Sequence, residues 1–194
     1  EMGAKQKNDI KEICDLVHPE IGIVTSVGEM HLETFGSVEN IARTKFELIE
    51  SLPEGGFGVV NVDSEAAYNY VKGQNIKAMT YAIENHKADY RAVDIAYSQL
   101  ETSFSVQVGD RVDEGYATHI LGRGNILNIT AALAVADHLG VSLSERRRAV
   151  KQIEQVEHRL SMRCNGGITI LDDAYNSNPT GARMALEVLR DFAS

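Results

Sequence analysis

Apolar residues along the chain recur with two alternating periods. Across Asp9–Val17, the residues Ile10, Ile13, Cys14 and Val17 share one face at helical spacing, which predicts an amphipathic helix. His18-Pro19 ends it, because the residue before a proline is driven out of the α region. Ile21–Thr25 is a short β-rich run with the pattern of a buried strand, and Ser26–Gly36 reads as loop. Ser37 is placed to cap a helix over Val38–Leu52, with Ile41, Phe46 and Ile49 inward, stopped by Pro53 and the Gly55-Gly56 pair. Phe57–Val62 predicts a second buried strand, Ser64–Lys72 a helix closed by Gly73, and Ile76–Ala82 a third strand. Helices alternating with short apolar strands imply βαβ units and a mainly parallel sheet.

From Ala88 the texture changes. Tyr90–Ile95 and Ser103–Val108 alternate strictly between apolar and polar, the mark of half-exposed antiparallel strands. A helix is predicted over Asn125–Leu139. Ser142 and Glu145 form a capping box, which opens a helix running to about His158. Arg146-Arg147-Arg148 reads as its solvated face. Ile168–Leu171 predicts a strand, and Asn178-Pro179 a cap and first position for a helix to Asp191. The fold class is α/β: a mainly parallel sheet flanked by helices, with an added antiparallel section, then the start of a second α/β domain. The last helix has no strand after it, and the first residues enter without a strand before them. The expectation is a piece of a longer protein, with one domain over residues 1–158 and the opening of another over 159–194.

With 43% hydrophobic and 24% charged residues, the chain of 194 is globular in composition rather than disordered. Nineteen Lys and Arg against 28 Asp and Glu leave a net charge of −9, without the clustered cations that coat nucleic acid. No apolar run reaches the roughly 20 residues of a membrane span, and no basic-then-apolar leader is visible. Two cysteines with no partner motif, Cys14 and Cys164, exclude a disulfide scaffold or a zinc knuckle and suit a reducing, cytoplasmic setting.

Five segments carry candidate chemistry. His31, in Gly28-Glu29-Met30-His31, lies just past a strand, where open parallel sheets bind ligands. It is either placed for a metal or phosphate or is a solvated loop histidine. Lys45 has Ile41 and Ile49 four residues away on either side. Either its amine is desolvated, with a depressed pKa and reactive towards carbon dioxide, or the side chain snorkels to solvent. Gly122-Arg123-Gly124-Asn125-Ile126-Leu127-Asn128 introduces a helix. Its glycines allow close backbone approach, and Asn125 and Asn128 share a face on which two carboxamides can read a base edge. The alternative is a plain cap and a first-turn amide. No GxxxxGK[ST] occurs. Asp172-Asp173-Ala174-Tyr175-Asn176-Ser177-Asn178-Pro179 follows a strand and precedes a helix, where acids can hold ribose hydroxyls and free N–H groups an anion. Arg159, ahead of that strand, can clamp a phosphate. Glu1 alone carries no signal.

Together these segments resemble the Mur ligases of peptidoglycan synthesis. The residues that carry the resemblance are Glu1-Met2-Gly3, Thr25 to Glu33 with Gly36-Ser37, Lys45 fourteen residues after His31, Asn61-Val62-Asp63, Gly122 to Asn128 with Ala131-Ala132, and Asp172 to Pro179. Departures are Gly124 where the family usually has His, Ser26 where it has Asn, and Asn8 where it has Gly, a swap that asparagine's tolerance of left-handed backbone permits. The resemblance implies a central ATP-binding domain over 1–158, lacking its upstream P-loop, and the start of a C-terminal Rossmann-like domain over 159–194. It implies ATP-dependent amide formation through an acyl phosphate, with D-alanyl-D-alanine and a UDP-N-acetylmuramoyl-peptide as partners. It implies Mg2+ held by Glu1, His31 and a carbamylated Lys45. Asn125 and Asn128 would face adenine, Asp173 the ribose and Arg159 the γ-phosphate, with Tyr175 and Asn178 on the substrate side. A cytoplasmic monomer in full length is the accompanying expectation. Other Mur-type ligases resembling folylpolyglutamate or cyanophycin synthetases, or a non-catalytic nucleotide-binding module, are the alternatives.

Overall fold

A computed structural model describes residues 1–28, 32–98, 101–175 and 179–192. The chain forms two compact units, Glu1–Arg91 with Thr130–Leu139, and Ala92–Ile129 with Gly140–Ser194.

In the first unit α1 (Asp9–Val17) buries Ile10 and Cys14, and β1 (Ile21–Val24) follows at once. Asn8 enters α1 at φ 72, in the left-handed region where asparagine is tolerated. The carboxylate of Glu47 accepts from the Asn8 and Lys11 amides, at 2.9 and 3.0 Å, so the orphan donors of α1 are met by a buried residue of α3 (Val38–Glu50). Within the stretch expected as loop, a short helix α2 (Leu32–Phe35) forms, because Phe35 is drawn into the core. That core joins Val24, Phe35, Ile41, Phe46, Ile49 and Val60. β2 (Phe57–Asn61) is almost fully buried; α4 (Glu65–Gln74) and β3 (Met79–Ala82) complete the βαβ rhythm. β1, β2 and β3 pair in parallel, with Val24 against Val60 and Val60 against Thr80.

β4 (Tyr90–Tyr97) corrects an expectation. It pairs parallel to β3, Tyr81 with Tyr90 and Ala82 with Arg91, not antiparallel. Alternation along a strand records which face is covered; it says nothing of the neighbour's direction. The six-stranded sheet runs β1-β2-β3-β4-β5-β6.

In the second unit β5 (Thr102–Val108) and β6 (Arg111–Thr118) are antiparallel, and Phe104 stacks on Tyr116 at 5.2 Å. α5 (Arg123–His138) begins two residues before its expected start. Its last turns belong to the first unit, where Asp137 accepts from the Tyr90 hydroxyl at 3.0 Å. α6 (Leu143–Lys151) carries the capping box of Ser142 and Glu145 and stops at Lys151, short of His158. Beyond it the Gln155 carboxamide donates to His119 O and accepts from Met162 N, both at 2.9 Å, and these distant bonds hold the chain out of a helix. Arg146 is not solvated as expected: it is buried and paired to buried Asp113 at 3.0 Å. β7 (Ser161–Asn165) and β8 (Ile168–Asp172) form a separate hairpin, closed by Gly166 and Gly167 at φ 58 and 81. α7 (Pro179–Phe192) opens at the expected proline; Asn178 lies outside the described residues. Among the described residues no helix is long and apolar enough to cross a membrane.

Candidate functional site

In the first unit the loop leaving the carboxyl end of β1 is gripped from three sides. Lys45, midway along α3, lies half-buried, and its Nζ donates to Ser26 O at 2.7 Å. Burial lowers its pKa below the ordinary lysine value, and among the described residues no carboxylate offsets that. Asn61, at the end of β2, donates from Nδ2 to Thr25 O at 2.8 Å and accepts from Asp63 N at 2.9 Å. Ser64 Oγ accepts from Val27 N and donates to Val27 O, both at 3.2 Å. Asp63 in turn accepts from the Ile83 and Asn85 amides at 2.7 and 2.8 Å, which ties the ends of β2 and β3 together. Beside this loop lies a pocket of about 390 Å³ lined by Val27, Gly28, Val38, Ser64, Glu65 and Asn69.

Glu1 is exposed, and among the described residues no hydrogen bond or ion pair holds it. His31 lies outside the described residues. Among the described residues no three His, Cys, Asp or Glu side chains gather as a metal site.

In the second unit the structure brings Arg159, Asp173 and Tyr175 together. The stretch after α6 zips onto the stretch after β8: His158 Nδ1 meets Asp172 Oδ2 at 2.8 Å, Leu160 N donates to Asp173 Oδ1 at 3.0 Å, and Tyr175 N donates to His158 O at 3.1 Å. The Arg159 guanidinium lies 4.1 Å over the Tyr175 ring, stacked as a cation on its π face. The doubled aspartate is thereby explained locally. Asp172 anchors His158 and Arg163, with its carboxyl held below the ordinary value chiefly by the His158 bond, and Asp173 anchors Leu160. Gly122, at φ 85, lets α5 begin against this cluster: a Cβ there would stand 2.6 Å from Leu160 Cδ2. Asn125 is in the first turn of α5 with its Nδ2 donating to Leu121 O at 2.8 Å, while Asn128 is exposed. The roles of Asn61 and Ser64 are not visible from local sequence, since both bonds cross more than thirty-five residues. The only signal was the Asn61-Val62-Asp63 motif.

Residues 1–136 match the model of the Mur ligase middle domain. The UDP-N-acetylmuramoyl-tripeptide–D-alanyl-D-alanine ligase of Bacillus subtilis is 28% identical over 189 residues, covering 97% of this chain and 40% of that protein. The protein of the same name from Mycobacterium bovis is 32% identical over 192 residues, covering 97% and 37%. The crystal structure of the Thermotoga maritima MurF ligase in complex with ADP superposes with a TM-score of 0.84 at 26% identity, covering 98% of this chain and 44% of that one. The chain therefore spans about two fifths of the length of these relatives.

Proposed function

Because this chain belongs to the Mur ligase family through its middle domain, we propose that it is a segment of a cytoplasmic, monomeric ATP-dependent ligase. That enzyme joins D-alanyl-D-alanine to a UDP-N-acetylmuramoyl-tripeptide, the activity in the names of the relatives from Bacillus subtilis and Mycobacterium bovis. Residues 1–158 are the later part of the central domain and 159–194 the start of the C-terminal one. The substrate carboxylate attacks the γ-phosphorus of ATP, the bond to ADP breaks, and an acyl phosphate forms. The dipeptide amine then attacks the acyl carbon; phosphate leaves with the bonding pair and the amine loses its proton. Such transfers depend on positioning and charge neutralisation more than on covalent help from the protein.

The observation that carries this reading is the half-buried Lys45 on the Ser26 carbonyl. A neutral amine adds to carbon dioxide: the N–C bond forms, one proton leaves to solvent, and one N–H remains to donate to Ser26 O. The product is an anionic carbamate whose oxygens suit a hard cation. Glu1, His31 and the carbamylated Lys45 are the residues proposed to hold Mg2+, which when bound neutralises charge on the transferring phosphoryl group. Asn125 and Asn128 face adenine, Asp173 the ribose, and Arg159 the γ-phosphate. Tyr175, already stacked against Arg159, and Asn178 are the residues proposed for the peptide substrate.

The test uses the full-length ligase. Lys45→Ala should lose most turnover, and added short-chain carboxylates should restore part of it by supplying the missing negative oxygen. Lys45→Arg keeps the positive charge yet resists carbamylation, so it should fail as badly. Near-normal turnover of Lys45→Ala would refute the carbamate reading.

A further inference from the structure

Consecutive carbonyls of the loop after β1 are held by side chains from three different elements. Thr25 O is held by Asn61 at 2.8 Å, Ser26 O by Lys45 at 2.7 Å, and Val27 O by Ser64 at 3.2 Å. The middle bond belongs to the proposed working amine; the outer two come from residues with no assigned role. We infer that Asn61 and Ser64 are positioning residues that set where the Lys45 nitrogen lies, an inference that rests on Lys45 being that amine.

Ser64 makes a choice that its place in the helix does not require. It stands at the N-cap of α4 in extended backbone, where a serine ordinarily accepts from the helix's own first turn. Ser37 does so on α3 and Ser142 on α6. Ser64 makes no such bond. Its hydroxyl is turned to Val27 instead, accepting from the amide and donating to the carbonyl.

Asn61 is 6% exposed, and both ends of its carboxamide are engaged: Nδ2 on Thr25 O, Oδ1 on Asp63 N. Asp63 is itself fixed by the amides after β3, so Asn61 reaches Thr25 from a rigid frame. Lys45 alone cannot supply this order. Its long, flexible stem puts Nζ wherever its acceptor lies, so the amine is located only if the Ser26 carbonyl is. A displacement of about 1 Å in a reacting constellation can cost roughly a hundredfold in rate. Fixing the peptide units on either side of Ser26 removes that freedom.

The experiment compares Asn61→Asp, Ser64→Ala and Ser64→Thr in the full-length ligase. Asn61→Asp keeps an oxygen for the Asp63 amide but sets a carboxylate oxygen against Thr25 O, so it removes one tether without a cavity. Hydrogen–deuterium exchange of the Thr25–Gly28 stretch is read in protein free of metal and nucleotide, alongside kcat and KM. Asn61→Asp and Ser64→Ala should each raise exchange in that stretch about tenfold, the scale of one net hydrogen bond, with β2 and α3 unchanged. kcat should fall about tenfold with KM for the amine substrate within about twofold. Ser64→Thr, which keeps the hydroxyl, should restore both. Loop exchange equal to wild type would overturn the inference, as would exchange rising by the same factor throughout residues 1–91, the signature of a merely structural role. Failure of the underlying reading shows separately, as an active Lys45→Ala.

Discussion

Replacing Arg146 by Met should be among the most damaging single changes in the second unit. Arg146 is 6% exposed and its partner Asp113 is 3% exposed, with Nη1 and Oδ2 3.0 Å apart. Removing one member of a buried pair leaves a desolvated charge, at a cost of about 3–5 kcal/mol. Arg111 tempers that here, since its Nε stays 3.1 Å from the other carboxylate oxygen. The Arg111 side chain is half exposed, however, and such a pair is worth about 0–1 kcal/mol. The net expectation is a loss of about 2–4 kcal/mol, or about 30- to 700-fold in the folding equilibrium. Urea unfolding followed by circular dichroism would read this as a lower midpoint at unchanged slope. Arg111→Met should cost no more than about 1 kcal/mol. The double change Arg146→Met with Asp113→Leu should return to within about 1 kcal/mol of wild type, because it leaves no orphan charge. If Arg146→Met costs no more than Arg111→Met, the buried pair is not what holds α6 on β6.

Two further outcomes follow from the cluster around His158. Gly122→Ala combines an unfavourable φ of 85 with a Cβ 2.6 Å from Leu160, so it should cost about 2–4 kcal/mol. Adding Leu160→Ala should recover the packing share in a double-mutant cycle, and a neutral Gly122→Ala would show that the contact is relieved without strain. The Asp172 carboxyl is held below its ordinary value by His158 first, with Arg163 and the Ala174 amide helping. A lowered carboxylate stabilises the fold above the ordinary aspartate range, near pH 4, and loses that contribution as pH falls through the lowered value. Amide NMR signals of Ser161–Asn165 should therefore shift as pH falls below the ordinary aspartate range in wild type and show no such step in Asp172→Asn; identical acid profiles would refute the role.

The βα rhythm of the first unit was legible because each of its signals is local. Ile10 and Cys14 on one face of α1, Ile41, Phe46 and Ile49 on one face of α3, and the buried run of β2 each lie within a window of a few turns, as does the capping box of Ser142 in the second unit. Even the left-handed Asn8 could be anticipated from its side chain. Two hairpin turns are equally local in their signals: Gly109-Asp110 between β5 and β6, and Gly166-Gly167 between β7 and β8. What the chain could not disclose is partnership across distance. Periodicity tells which side of β4 is covered but not that its neighbour runs parallel. A row of arginines cannot reveal that Arg146 meets a carboxylate thirty-three residues away and is buried by it. Apolar spacing would carry α6 past Lys151, yet Gln155 is claimed by His119 and Met162. The site divides in the same way. Lys45 was marked by its neighbours on the helix, but its lowered pKa comes from tertiary burial, its acceptor at Ser26 comes from another element, and a serine that reads as a helix cap is drawn to Val27. Composition and spacing determine which groups are present and which face they share; only the packed chain decides which of them meet, because desolvation and hydrogen bonding act through space rather than along the sequence.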